Sequence, residues 1–359
     1  MDHVITHEAL ASKYDIDYSD GIKPAIQVLL KESFSPFELP DGDPVFEQTR
    51  PLLFHLNDGT QGILLPPLTS NYIGNIHAAA EAYRHIAYKR NEIFVEKYGW
   101  NITNRVELSK LDANKMPYDS IIAHLLFSGN TNQLELDSYD FNDPTIPNNR
   151  NHPAQTLFVV DRDLELIASA RIIKPVDTLI PPRKILDASV ATILHRQEIE
   201  KLTADNSEDD ILDLKKYLIH LLSESGLPAY DIFLNKINPD SIDIKTVLFL
   251  AESVSSSMEI SRKFVLGNIK NMRANLTRLH GIVTEIAIKT GKPNLVFEMG
   301  EKEKAIYEKL NIPLTTLPFS ENDELNFIAI SNIEKGLLIA SKKDISLLPS
   351  QTGSHSMFA

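Results

Sequence analysis

A chain of 359 residues with 43% apolar residues can build one large domain with insertions or two modest ones. Its formal charge of -13 argues against nucleic acid as a partner, because neutralising phosphates takes a clustered basic surface. Cysteine is absent, which excludes disulfides, thiolate metal sites and cysteine nucleophiles and suits a reducing cytosol. The opening MDHVITHEALASKYDID lacks a basic stretch followed by an apolar one, and no run approaches the roughly 18 uncharged apolar residues of a membrane helix. The expectation is a soluble, cytoplasmic protein with neither a membrane nor a nucleic acid as partner.

Residues 1–74 lie outside any clear α/β pattern and read as an N-terminal extension. From Asn75 to Tyr98 alanine and long side chains run without glycine or proline, which predicts a helix ending near Gly99, with Arg90 and Phe94 on one face. Residues 101–130 give mixed signals and read as an insertion. Leu157–Val160 and Leu166–Ile173, separated by Asp161-Arg-Asp163, predict a β-hairpin whose strands are apolar enough to be central. Between 185 and 250 leucine and isoleucine recur at helical spacing, a helical insertion. A strand over Met258–Leu266 precedes a helix with the stripe Ile269, Met272, Leu276, Leu279, Val283 and Ile286, closed by Gly291 and Pro293. A strand at 295–297, a short helix at 301–310 and a strand at 327–330 follow, and 349–359 is a tail. Strands alternating with helices imply an α/β fold.

Four strings break this pattern by setting charge where apolar residues belong: Arg90-x3-Phe94-x5-Trp100, Glu135-Leu-Asp137-Ser-Tyr139-Asp140, Ala168-Ser-Ala-Arg171 and Glu259-Ile-Ser-Arg262. Arg171 should share a strand face with Ile167, Ser169 and Ile173, and Arg262 one with Met258, Ile260 and Phe264. An unmatched buried guanidinium costs several kcal/mol, so each needs a carboxylate, from Asp137, Asp140 or a ligand. Glu259 and Arg262 fall on opposite faces of a regular strand; a β-bulge near Ser261 is expected to cancel that alternation. Taken singly, each string is an ordinary half-exposed ion pair or core aromatic; their combination marks a site.

In order and local spacing the four strings resemble the acyl-homoserine-lactone (autoinducer) synthases, a branch of the N-acetyltransferase (GNAT) superfamily. The resemblance covers about two thirds of the chain in pieces. It departs at Ala168, where glycine is usual, and in the long segments between Trp100 and Asp137 and between Arg171 and Glu259. It implies a GNAT-like three-layer fold with a mixed central sheet over residues 75–348, interrupted by the insertions at 101–130 and 185–250. It also implies transfer of an acyl group from a thioester, on acyl carrier protein or coenzyme A, to the amine of S-adenosylmethionine, followed by lactone closure. On this resemblance Arg90, Phe94, Trp100, Asp137, Asp140 and Arg171 bind substrate, and Glu259, Ser261 and Arg262 are the catalytic strand residues. No cofactor is needed beyond the two substrates.

The segment from Lys263 to Thr284 carries Lys263, Lys270, Arg273 and Arg278 and no acid, an expected docking surface for an acidic carrier protein. Two other readings stand beside the first: another GNAT-type N-acyltransferase acting on an amino acid or polyamine, and a catalytically silent binding protein or effector. His-Glu-x-x-His, Gly-x-Ser-x-Gly and Walker motifs are absent from the sequence, so no metal site is expected.

Overall fold

The computed structural model describes residues 22–42, 45–66, 72–90, 93, 155–175, 208–237, 242–254, 256–309, 312, 314–321 and 324–332. They form helices α1 (Lys23–Glu32), α2 (Ile76–Arg90), α3 (Glu208–Ser223), α4 (Pro228–Lys236), α5 (Ile244–Val254), α6 (Ile269–Thr290) and α7 (Glu301–Lys309). The strands are β1 (Leu52–His55), β2 (Gln61–Leu65), β3 (Gln155–Val160), β4 (Leu166–Ile173), β5 (Ser257–Val265), β6 (Asn294–Gly300), β7 (Thr315–Glu321) and β8 (Glu324–Asn332). The strand order is β1-β2-β3-β4-β5-β6-β8-β7, with β5 and β6 parallel and antiparallel pairs at both ends. The fold is therefore α/β with a mixed sheet. The chain divides into two compact units, one drawn from Met1–Ile172, Arg262–Thr290 and Ala340–Ala359, the other from Ile173–Ser261 and Gly291–Ile339.

In the first unit β1 to β4 form an antiparallel meander. Side chains of successive strand residues leave opposite faces, and both faces are covered. Ile63, Leu65, Phe158 and Val160 join a core with Ala25, Ile26 and Leu29 of α1 and Ala78, Ala79, Ala82, Tyr83 and Ile86 of α2. On the other face Gly62 meets α6 so closely that a Cβ there would stand 2.5 Å from Ile282 Cγ2. Sheet and helices thus make three layers in this unit. That explains why every residue of β3 and β4 is buried and why those strands read as continuous apolar runs rather than alternating ones.

Helix α2 starts where Asn75 Oδ1 accepts from the backbone N–H groups of His77 and Ala78 at 3.1 and 3.0 Å, an N-cap worth about 1 kcal/mol. Four buried alanines in its first two turns let it lie close to the strands. On α6, Leu276, Leu279, Val283 and Ile286 are all buried, the stripe their spacing predicts, each contributing about 1.5–3 kcal/mol of apolar burial. Gly291 ends that helix at φ 65°, a left-handed position that glycine takes without penalty.

In the second unit β5 pairs with β6 through Ser257↔Asn294, Met258↔Leu295 and Glu259↔Val296. β6 pairs with β8 along its whole length, and β8 with β7 in a hairpin. Helix α4 buries Ala229, Tyr230 and Phe233, and Phe233 meets Phe319 of β7 edge-on at 6.4 Å. On α7, fully buried Tyr307 lies against Phe297 of β6 at 5.2 Å.

Three features differ from the sequence reading. The described residues 22–66 do not stand outside the α/β pattern: they supply α1, β1 and β2, and β2 pairs with β3. Strand β7 was hidden by Pro318, which an edge strand tolerates because its N–H side need not enter a ladder. The expected insertion at 185–250 contains α3, α4 and the first part of α5, which belong to the same compact unit as β6 to β8. The expected insertion at 101–130 and the tail at 349–359 lie outside the described residues.

Candidate active site

Arg171 sits on β4 directly opposite Thr156 of β3, in a strand whose every residue is buried. Its own exposure is 4%. Register also places Leu65 of β2 opposite Thr156, so Leu65, Thr156 and Arg171 form one row across three strands, on the face that α1 and α2 cover.

Strand β5 departs from regular geometry where the bulge was expected. Arg262, one position after Ser261, has φ 49°, a left-handed conformation uncommon outside glycine. Burial changes there as well: Ser257 to Ile260 are buried, while Ser261, Arg262 and Lys263 are half-buried. Ahead of the break, Glu259 Oε2 accepts a hydrogen bond of 2.8 Å from the backbone N–H of Ala229. Ala229 lies in the first turn of α4, whose own N-cap residue, Leu227, offers no side-chain acceptor. Glu259 therefore serves as the cap of α4, its negative charge set against the positive end of the helix dipole.

A buried hydroxyl cluster adjoins it. Ser253 Oγ donates to Leu250 O, which spends its single proton, so the 3.0 Å contact with the Tyr230 hydroxyl has tyrosine as donor. Ser257 Oγ donates to the Ser253 carbonyl. Burial, with the charge of Glu259 acting the same way, pushes Tyr230 up to about 12, against the hydrogen bonds it shares with Ser253 and Ser257. The sequence reading missed this cluster, although the run Ser253-Val-Ser-Ser-Ser257 carries the signal.

The basic segment is not uniform. Arg278 Nε donates to Asp58 Oδ2 at 2.8 Å and Arg278 to Asn275 Oδ1 at 3.0 Å. Asp58 sits in the β1–β2 turn, and its carbonyl accepts from Arg162 of the β3–β4 turn. Burial works to raise the Asp58 carboxyl, but hydrogen bonds from Thr60 and Arg278 outweigh it and hold the group below the usual carboxylate value. Arg278 thus joins α6 to two hairpin turns. Arg273 is exposed and Lys263 half-buried. Burial, and then the charge of Lys263, pushes His280 down to about 3, so its imidazole adds no charge to this segment at neutral pH.

Phe94, Trp100, Glu135, Asp137, Tyr139 and Asp140 lie outside the described residues, as do the side chains of Arg90 and Lys270. Of the expected site residues, the structure joins Glu259, Ser261, Arg262 and Lys263 on β5 and sets Arg171 on β4. Among the described residues no group of three or more histidine, aspartate or glutamate side chains is arranged to hold a metal ion, and no helix is long and apolar enough to cross a membrane.

No family model matches the chain, and no curated protein does. Solved structures do. TofI in a ternary complex with an inhibitor and MTA is similar at 14% identity, with 75% of this chain and 93% of that one covered and a TM-score of 0.36. BjaI, a CoA-dependent acyl-homoserine lactone synthase solved with SAM and isopentyl-CoA, is similar at 13% identity, over 72% and 80%, with a TM-score of 0.33. MesI, another CoA-dependent acyl-homoserine lactone synthase, is similar at 11% identity, over 68% and 86%, with a TM-score of 0.28. BjaI and MesI are thus acyl-homoserine lactone synthases, the family whose motifs this sequence resembles.

Proposed function

We propose that the chain is an acyltransferase that joins an acyl thioester to the α-amine of S-adenosylmethionine and closes the product to an N-acyl-homoserine lactone, a quorum-sensing signal. The observation that carries this reading is Arg171, a guanidinium buried in an apolar central strand at the position where the motif order calls for an anion-binding arginine. Such a residue holds a carboxylate bidentately, and the amino-acid end of S-adenosylmethionine provides one. Phe94 and Trp100 supply aromatic faces for the sulfonium, a contact worth about 0.5–2 kcal/mol. Arg90, Asp137 and Asp140 complete the polar grip, and Ser261 and Arg262 line the broken strand.

In the first step the α-amine loses a proton to Glu259 or to a water that it holds. The nitrogen attacks the thioester carbon, the C–N bond forms, the C–S bond breaks and the thiol leaves with a proton. In the second step a carboxylate oxygen attacks the γ-carbon. The ring C–O bond forms as the bond from that carbon to the sulfonium breaks, and methylthioadenosine departs as a neutral thioether, so closure needs mainly positioning. The donor is acyl carrier protein or acyl-coenzyme A, with Lys263, Lys270 and Arg273 the docking charges for an acidic carrier. No further cofactor takes part.

Purified protein incubated with S-adenosylmethionine and a panel of acyl thioesters should release methylthioadenosine together with an acylated lactone, read by mass spectrometry. Acylation of other amines without methylthioadenosine release would turn the reading toward a different N-acyltransferase.

A further inference from the structure

Thr156 is 2% exposed, and its Oγ1 has no hydrogen-bond partner among the described residues. A buried hydroxyl left unsatisfied costs about 1–3 kcal/mol, and valine, of the same shape, would fill the position without that cost. The row in which it stands gives the hydroxyl a use. Thr156 is flanked in register by Leu65 and by Arg171, and side chains opposite one another in an antiparallel ladder leave the same face with Cβ atoms roughly 5 Å apart. Tyr83 of α2 covers the adjoining row edge-on to Phe158 at 6.4 Å, its hydroxyl donating toward the carbonyls of Leu65 and Pro66. Arg90, the last residue of α2, follows two helical turns later. A guanidinium gives a carboxylate two parallel donors, and a neighbouring hydroxyl gives a third along a direction the fork does not reach.

We propose that Thr156 is a further substrate-binding residue, its hydroxyl donating a hydrogen bond to the carboxylate of the amino-acid substrate engaged by Arg171. The inference rests on the acyl-homoserine lactone reading for the identity of that substrate.

Calorimetric titration of the wild-type protein, Thr156→Val and Thr156→Ser with S-adenosylmethionine, its decarboxylated analogue and L-methionine tests it. Thr156→Val should bind S-adenosylmethionine at least tenfold more weakly and the decarboxylated analogue as the wild type does, while Thr156→Ser restores binding. Thr156→Val should also melt no lower than the wild type, because it removes an unsatisfied group; a purely structural hydroxyl would lower the melting temperature. Unchanged affinity for S-adenosylmethionine, or equal loss for the decarboxylated analogue, overturns the proposal and leaves the enzymatic reading standing. Binding of L-methionine that depends on Thr156, without binding of S-adenosylmethionine, keeps the carboxylate subsite and removes that reading. Binding of neither removes both.

Discussion

Glu259 on β5 and Glu285 on α6 are hidden alike, at 2% and 3% exposure, yet the chain treats them in opposite ways. Glu259 accepts a backbone N–H at the start of α4, where a negative charge is favoured. Neither carboxyl oxygen of Glu285 has a hydrogen-bond partner of ordinary geometry among the described residues. Burial pushes Glu285 up to about 8, only partly opposed by the backbone N–H of His55. A buried acid at the start of a helix is met by a backbone donor. A buried acid packed into a helix–sheet layer is carried as a neutral group, and the difference lies in what faces it rather than in how deep it sits.

The sharpest break of this comparison is by pH. Glu285 holds its proton in the folded protein up to about pH 8, whereas in the unfolded chain it loses it near 4.5. Between those values the folded state binds more protons, so stability is full below about 4.5 and falls as pH rises through about 8. Each pH unit in that window costs about 1.4 kcal/mol, a few kcal/mol in all. Glu285→Gln should remove the slope: against the wild type, its melting temperature should be similar at pH 4.5 and clearly higher at pH 8.5. Parallel melting curves for the two proteins across that range would show the carboxyl to be ionised in the fold.

Glu259 gives the next largest effect. Glu259→Ala strands the Ala229 N–H and should cost about 1–3 kcal/mol in chemical denaturation. Glu259→Gln keeps an oxygen that can accept that N–H, so its stability should stay near the wild type. If the carboxylate or a water it holds takes the amine proton, the glutamine variant should lose about 10²–10⁴ in kcat for methylthioadenosine release. Full activity in Glu259→Gln would leave the residue as the cap of α4 and nothing more.

The same contrast separates what could be read in the sequence from what could not. The β3–β4 hairpin, the α6 stripe and the irregularity in β5 were legible because each rests on local rules: long apolar runs about an acidic turn, recurrence at three and four, and charge set three apart in a strand. The β1–β2 hairpin was not. Its strands of four and five residues are too short for periodicity, although Asp58-Gly59 with glycine at φ 84° is a strong turn signal. Arg171 was legible as a buried charge, but Thr156 was not, since a threonine in an apolar strand looks ordinary until register sets it opposite the arginine. The capping role of Glu259 depends on a helix thirty residues upstream, and no local pattern announces such a contact.

The smallest effect on stability, and the finest test of the surface, comes from the basic segment. Arg278 and Arg273 lie five residues apart on α6 but do different things: one is paired with Asp58 at 2.8 Å, the other is exposed. Arg278→Ala should lower stability by about 1 kcal/mol, as expected for a partly buried ion pair, and should change transfer from every acyl donor alike. Reversing Lys270 and Arg273 to glutamate should leave the melting temperature within error of the wild type. It should slow transfer from acyl carrier protein several-fold and more so at low salt, because steering between opposite charges is screened within about 10 Å at 0.1 M ionic strength. Small acyl thioesters, which carry no extended acidic surface, should react as before. Loss of equal size with both kinds of donor would place the carrier elsewhere and reduce these two residues to a solvated helix face.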